Sequence, residues 1–175
     1  MNKLFDDKLF VQKERPTKIT KQQEEKLLLK LSNEVIEENF SSDCVEDIAE
    51  DLRKLSTYDS GYEMAKSLES NGNCRYDIDS RFIDWLDFCN QERDYVLNDN
   101  IRLWVKAHDV KSKYKKGNKL KVLEPLTYGV NVSDDIYITG VKSKEANYLI
   151  DKDPNRNGGI MIPFERVEQC CDISV

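Results

Sequence analysis

Near residue 110 the chain changes its hydrophobic period, and with it the kind of element it can form. Up to that point apolar residues recur at i, i+3, i+4 and i+7, and the only residues that break helices are Gly61, Gly72 and Pro16. Beyond it come five glycines and three prolines among alternating β-branched residues. The pattern predicts an α+β chain, an N-terminal helical bundle followed by a small C-terminal antiparallel β-barrel. The expected divisions are an N-terminal arm over 1–18, an acidic helical domain over 19–110 and a barrel domain over 111–175.

Five helices are expected in the first half. Thr20 to Phe40 carries Leu28, Leu31, Val35 and Ile36 close to one face. Asp43-Cys44-Val45-Glu46 reads as a capping-box start for a second helix whose Val45, Ile48, Ala49 and Leu52 fall on one stripe. A third begins near Ser60 and stops at Asn71-Gly72-Asn73. The fourth starts at Asp79 or Ser80, with Phe82, Trp85, Leu86 and Cys89 inward, and the fifth runs from Gln91 to Ala107, with Leu97, Ile101, Trp104 and Val105 inward. Both tryptophans are expected in the core.

In the second half, Lys119–Leu123, Asp135–Val141, Asn147–Ile150 and Ile160–Pro163 alternate as strands. Asn157-Gly158-Gly159 is the expected hairpin turn, and residues 163–168 form a short turn before a last strand. Short strands at this spacing favour closure, because a barrel hides its edges.

The stretches KYKKGNKLKV, YITGV, ANYLI and IPFERVE, within 113–168, resemble an SH3-like barrel of small prokaryotic accessory proteins. SGYEMAKSLE followed by IDSRFIDWLD is similar to a helical pattern in phage and plasmid proteins. The resemblance implies architecture and a phage or mobile-element setting. It brings no catalytic motif with it.

Chemistry has few footholds in this sequence. No P-loop and no G-x-G-x-x-G occurs, so no nucleotide cofactor is signalled. Five cysteines include no C-x-x-C pair, and the single histidine, His108, is remote from them in sequence, so neither a disulfide framework nor zinc is expected. Cys44 and Cys89 fit as small buried hydrophobes and Cys170-Cys171 as a reduced pair in a tail strand. His108, beside Asp109 at a helix end, is explained by the helix dipole. Asp77-x-Asp79 and Asp84-x-x-Asp87 are the densest acid pairs, but capping and solvation account for both. Asp134-Asp135 and Asp151-x-Asp153 read as turn formers. A binding protein is therefore expected in place of an enzyme, without cofactor or metal.

Charge is the more informative pattern. The chain has 27 Lys and Arg against 33 Asp and Glu, a net of -6, but residues 32–101 hold 18 acids against six bases while residues 102–123 hold eight bases and one acid. Local nets of -12 and +7 hide inside the average. Acidic outer helix faces, carrying Glu34, Glu37, Glu38, Asp84, Asp87 and Asp94, are the expected surface for a host protein or nucleoprotein partner. An anti-CRISPR-like inhibitor of a defence complex is the function this suggests. The alternative is nucleic-acid binding by Lys111, Lys113, Lys115, Lys116 and Lys119, with Tyr114 stacking on a base. Intramolecular neutralisation or a solvated linker would explain the same lysines. No apolar run reaches the roughly 20 residues of a membrane span, and Met1–Phe10 includes Lys3, Asp6, Asp7 and Lys8, unlike a signal peptide. A cytoplasmic protein with no membrane partner is expected.

Overall fold

The computed structural model describes residues 14–56, 59–70, 75–126 and 129–169. Among these residues it is a mixed helix and sheet protein with four helices and one five-stranded antiparallel sheet. The chain divides into two compact units, Met1–Asn100 and Ile101–Val175. Residues 1–13 of the expected arm, the Asn71-Gly72-Asn73 stop and Cys170-Cys171 lie outside the described residues.

The first unit is built from α1 (Lys21–Glu37), α2 (Val45–Lys54), α3 (Gly61–Ser70) and most of α4 (Ser80–Ala107). Helix α1 opens on a capping box. Thr20 Oγ1 accepts from Gln23 N, and Gln23 Oε1 accepts from Thr20 N, which satisfies two of the donors that a helix start leaves without partners. It closes on a Schellman turn. Asn39 takes a left-handed φ of 60°, Phe40 N donates to Val35 O at 2.9 Å and Asn39 N to Ile36 O at 3.0 Å. Asparagine supports this conformation because its short polar side chain tolerates positive φ.

The turn throws Phe40 inward. Its carbonyl accepts from Asp77 N at 2.8 Å, and the isolated bridge between Ser41 and Tyr76 pins the two connections together. Phe40 thereby meets Phe82 at 5.0 Å between ring centroids, and Tyr76 stacks on Phe82 at 5.5 Å. Around these rings pack Leu27, Leu28, Leu31 and Val35 of α1, Ile48, Ala49 and Leu52 of α2, Met64, Ala65 and Leu68 of α3, and Leu86 and Cys89 of α4. Each large apolar side chain buried here contributes about 1.5–3 kcal/mol.

Four expectations are corrected in the helices. Cys44, expected as a small buried hydrophobe, is exposed at the start of α2. The fourth and fifth helices are one continuous helix of 28 residues, α4. Neither Gly nor Pro interrupts Asn90-Gln91, and burial runs on through Phe82, Leu86, Cys89, Val96 and Asn100 at spacings of three, four or seven residues, so nothing ends the helix. Asp43 does not cap α2. The cap residue is Cys44, without a side-chain hydrogen bond, while Asp43 faces Arg75 Nε at 3.3 Å. The tryptophans are half-buried, outside the fully buried core. Where the expected caps do form, Asp79 Oδ1 accepts from Phe82 N at 2.8 Å and Ser60 Oγ from Glu63 N at 3.3 Å.

In the second unit β1 (Lys119–Val122), β2 (Ile136–Lys142), β3 (Asn147–Asp151), β4 (Ile160–Pro163) and β5 (Val167–Gln169) pair in the order β4-β3-β2-β1-β5. One 3₁₀ turn, Phe164–Arg166, links β4 to β5. Alternation places Leu120, Val122, Ile136, Ile138, Tyr148, Ile150, Ile162 and Val167 in a common core. The expected closure is not seen. No pairing joins β4 to β5 among the described residues, so the sheet is open, with these two strands at its edges. A bulge between Ile138 and Gly140 turns Thr139 out of register, and its buried hydroxyl donates to Gly158 O. At the Asn157-Gly158-Gly159 turn, a Cβ on Gly159 would lie 2.2 Å from Ile150 O, so only glycine permits this approach.

Candidate functional site

Three of the sequence-derived acids converge. Glu34, Glu37 and Glu38 line a cleft of about 260 Å³ together with Phe40, Arg81 and Trp85. The end of α1 supplies the carboxylates, the Schellman turn supplies Phe40, and the first turns of α4 supply Arg81 and Trp85. Phe40 and Trp85 lie 6.2 Å apart between centroids, and Trp85 stacks on Phe82 at 5.8 Å, so the aromatic wall is anchored in the core.

Electrostatics at this end of α1 are unusual. A helix C-terminus favours cations, yet its last turn holds no base and Glu38 is the cap residue. Compensation comes partly from other positions. Lys30 Nζ is 3.6 Å from Glu34 Oε1 and 2.6 Å from Glu92 Oε2, and the Glu92 hydrogen bond is the main cause of the raised pKa of Lys30. Arg81 Nη2 is 2.8 Å from Glu38 Oε2, and its guanidinium carbon stands 5.4 Å over the Phe40 ring. The cleft thus already holds one guanidinium between a carboxylate and an aromatic face. Glu37 makes no ion pair among the described residues. The indole Nε1 of Trp85 is buried without a hydrogen-bond partner there.

The other three acids lie elsewhere. Asp84 and Asp94 are exposed on α4 and make no ion pair among the described residues, and Asp94 is about 20 Å along the helix from Arg81. Asp87 is engaged within the fold, because its Oδ1 accepts from Gly61 N at 2.6 Å and so caps α3 from a neighbouring helix. Phe40, Arg81 and Trp85 were not among the residues expected from sequence. The nearest signal was Trp85, on the same stripe as Phe82, which reads as core unless the Phe40 turn is known.

The lysines of the alternative site divide by their partners. Lys111 Nζ pairs with Asp109 at 2.7 Å and Lys119 Nζ with Asp135 at 2.7 Å. Lys116 Nζ reaches the neutral amide oxygen of Asn157 at 3.3 Å. Lys113 and Lys115 are exposed and make no ion pair among the described residues. Tyr114 is half-buried, 6.1 Å from Tyr148 between ring centroids. His108 is exposed at the end of α4, 5.6 Å from Trp104.

Among the described residues no group of three or more His, Cys, Asp or Glu side chains is placed to hold a metal ion, and no helix is long and apolar enough to cross a membrane. A scan of protein-family models finds none that matches the chain, and searches of curated proteins and of solved structures find no match.

Proposed function

We propose that this chain is a non-catalytic, protein-binding factor of the phage or mobile-element type. It docks through its acidic helical unit on a basic surface of a host nucleic-acid-handling or defence complex in the cytoplasm, and blocks or redirects that complex as an anti-CRISPR does. The observation that carries the reading is the cleft at the end of α1. Three carboxylates ring an aromatic wall, and Arg81 lies against Phe40 and Glu38 in the posture an incoming arginine would adopt. Arginine suits such a site because its flat guanidinium bonds a carboxylate and stacks on a ring at once. The wider surface supports it through steering, since residues 32–101 carry 18 acids against six bases.

For the second unit, an SH3-like arrangement is part of the same proposal. The strand order β4-β3-β2-β1-β5, with a 3₁₀ turn between β4 and β5, supports it.

Affinity capture from a host lysate, with the tagged chain and with Glu34→Lys, Glu37→Lys and Glu38→Lys combined, tests the proposal. A partner is expected that elutes as salt rises and is lost from the triple variant. Retention of the same partners by the triple variant, or no salt-sensitive partner at all, would refute it.

A further inference from the structure

The second unit carries a separate surface of opposite sign. Residues 113–121 contain five lysines and no acid. The backbone that bears them is fixed at several points. The hydroxyl of Tyr148, a fully buried residue, accepts from Ser112 Oγ at 3.0 Å and from Tyr114 N at 3.2 Å. Lys115 N donates to Asn118 Oδ1 at 2.7 Å, Asn118 N to Lys115 O at 3.0 Å and Gly117 N to Ile138 O at 2.7 Å. The left-handed φ of 90° at Gly117 lets the turn lie back on β2.

The chain is tethered while most of its ammonium groups are not. Lys119 is neutralised by Asp135. Lys113, Lys115 and Lys116 are exposed and meet no carboxylate among the described residues. Lys121, exposed on β1, stands opposite Glu168 in the β1–β5 register, but no ion pair joins them.

We infer that Lys113, Lys115, Lys116 and Lys121 form a sequence-independent contact for the phosphate backbone of a nucleic acid. A protein partner is the weaker fit, because interface cores are depleted in lysine and are built on aromatic anchors. Here Tyr114 is half-buried against Tyr148, whose ring also meets Phe164 at 4.3 Å between centroids. Phosphate binding needs no such anchor, since its driving force is the release of condensed counterions. Held at fixed positions, the lysines lose less freedom on binding than they would on a loose tail. The acidic cleft would meet the protein component of a complex and this loop its nucleic acid.

Fluorescence anisotropy of the whole protein with a labelled random-sequence DNA duplex of about 20 bp, and with one strand alone, tests the inference. Four phosphate contacts predict a slope of log K against log salt of about -3.6 for the duplex and about -2.8 for the strand, so duplex affinity falls about 150-fold between roughly 50 and 200 mM salt. Lys113→Gln, Lys115→Gln and Lys116→Gln combined should bring the duplex slope to about -0.9. Lys111→Gln with Lys119→Gln, which removes two paired lysines, should change it far less. These side chains are exposed or half-buried, and circular dichroism checks that each variant folds. No binding at low salt would overturn the inference, as would an unchanged slope in the triple variant. So would poly-glutamate binding as tightly as DNA, which would make this a surface for an acidic protein. Loss of lysate partners by the Glu34, Glu37 and Glu38 variant with DNA affinity retained would separate the two sites.

Discussion

Gln23 and Asn100, 77 residues apart, exchange two amide hydrogen bonds in the interior of the first unit. Gln23 Nε2 donates to Asn100 Oδ1 at 2.9 Å, and Asn100 Nδ2 donates to Gln23 Oε1 at 3.0 Å, with both residues 1% exposed. Gln23 Oε1 also accepts from Thr20 N, so the pair joins the cap of α1 to α4. A buried polar pair that is satisfied on both sides sets the register of the two helices, because any slip leaves an amide unpaired. Asn100→Leu alone should cost about 1–3 kcal/mol, since it strands the Gln23 amide. Gln23→Leu with Asn100→Leu should be more stable than the sum of the single changes predicts. Urea denaturation of the four proteins measures this, and simple additivity would show that the pair is not coupled.

Gly61 is a point of close approach between α3 and α4. A Cβ there would lie 2.2 Å from Ile83 O and 2.9 Å from Asp87 Cγ. Helix propensity alone would make Gly61→Ala stabilising by up to about 1 kcal/mol, but the collision should reverse the sign and cost about 1–3 kcal/mol. Asp87→Asn, which weakens the bond to Gly61 N, should destabilise by a smaller amount and leave partner capture intact. A stabilised Gly61→Ala protein in chemical denaturation would contradict the close approach.

Tyr148→Phe keeps the ring and removes only the acceptor that holds Ser112 and Tyr114. A loss of about 1–3 kcal/mol is expected, with faster hydrogen exchange at the Tyr114 amide. The same variant should weaken DNA binding less than the triple lysine change, because the charges remain. An unchanged Tyr114 exchange rate would show that the hydroxyl does not anchor the segment.

Cys89 and Cys44 should differ in reactivity. Burial, followed by the nearby charge of Glu34, pushes the Cys89 thiol well above its ordinary value of 9.0, whereas Cys44 is exposed. At mildly alkaline pH, alkylation followed by peptide mapping should label Cys44 quickly and Cys89 only on unfolding. A group whose pKa is raised by folding favours the native state below the unfolded value, and that contribution falls as pH rises past 9.0. Cys89→Ala should therefore flatten the loss of stability above that pH. Equal labelling of both cysteines in the native protein would contradict the burial.

Local periodicity made several elements legible before any coordinates. The stripe Ile48, Ala49, Leu52 announced α2, because a helix repeats within a few residues and its neighbours carry the signal. The caps at Ser60 and Asp79 were legible for the same reason, and so were the strands around Leu120, Ile138 and Ile162. Asp43 misled because Arg75, 32 residues away, competes for its carboxylate. The division of α4 into two helices came from placing a break at Asn90-Gln91 where no residue type requires one.

Of the candidate site, the acids were visible as a run but the cleft was not. Glu34, Glu37 and Glu38 share a helix face by their spacing, but they border a cleft only after Asn39 turns the chain and Asp77 binds the Phe40 carbonyl. Asp87, alike in sequence to Asp84, has a different role because Gly61 lies against it.

The sequence by itself determined where helix gives way to strand, which faces are apolar and how charge is distributed along the chain, since each follows from neighbours a few residues apart. Only the tertiary structure decided which charges are neutralised at home. Lys119 and Lys113 are indistinguishable in the sequence, yet Asp135 pairs with the first, while the second meets no acid among the described residues. Ion pairing depends on distances of a few ångströms between residues far apart in the chain, and folding alone sets those distances.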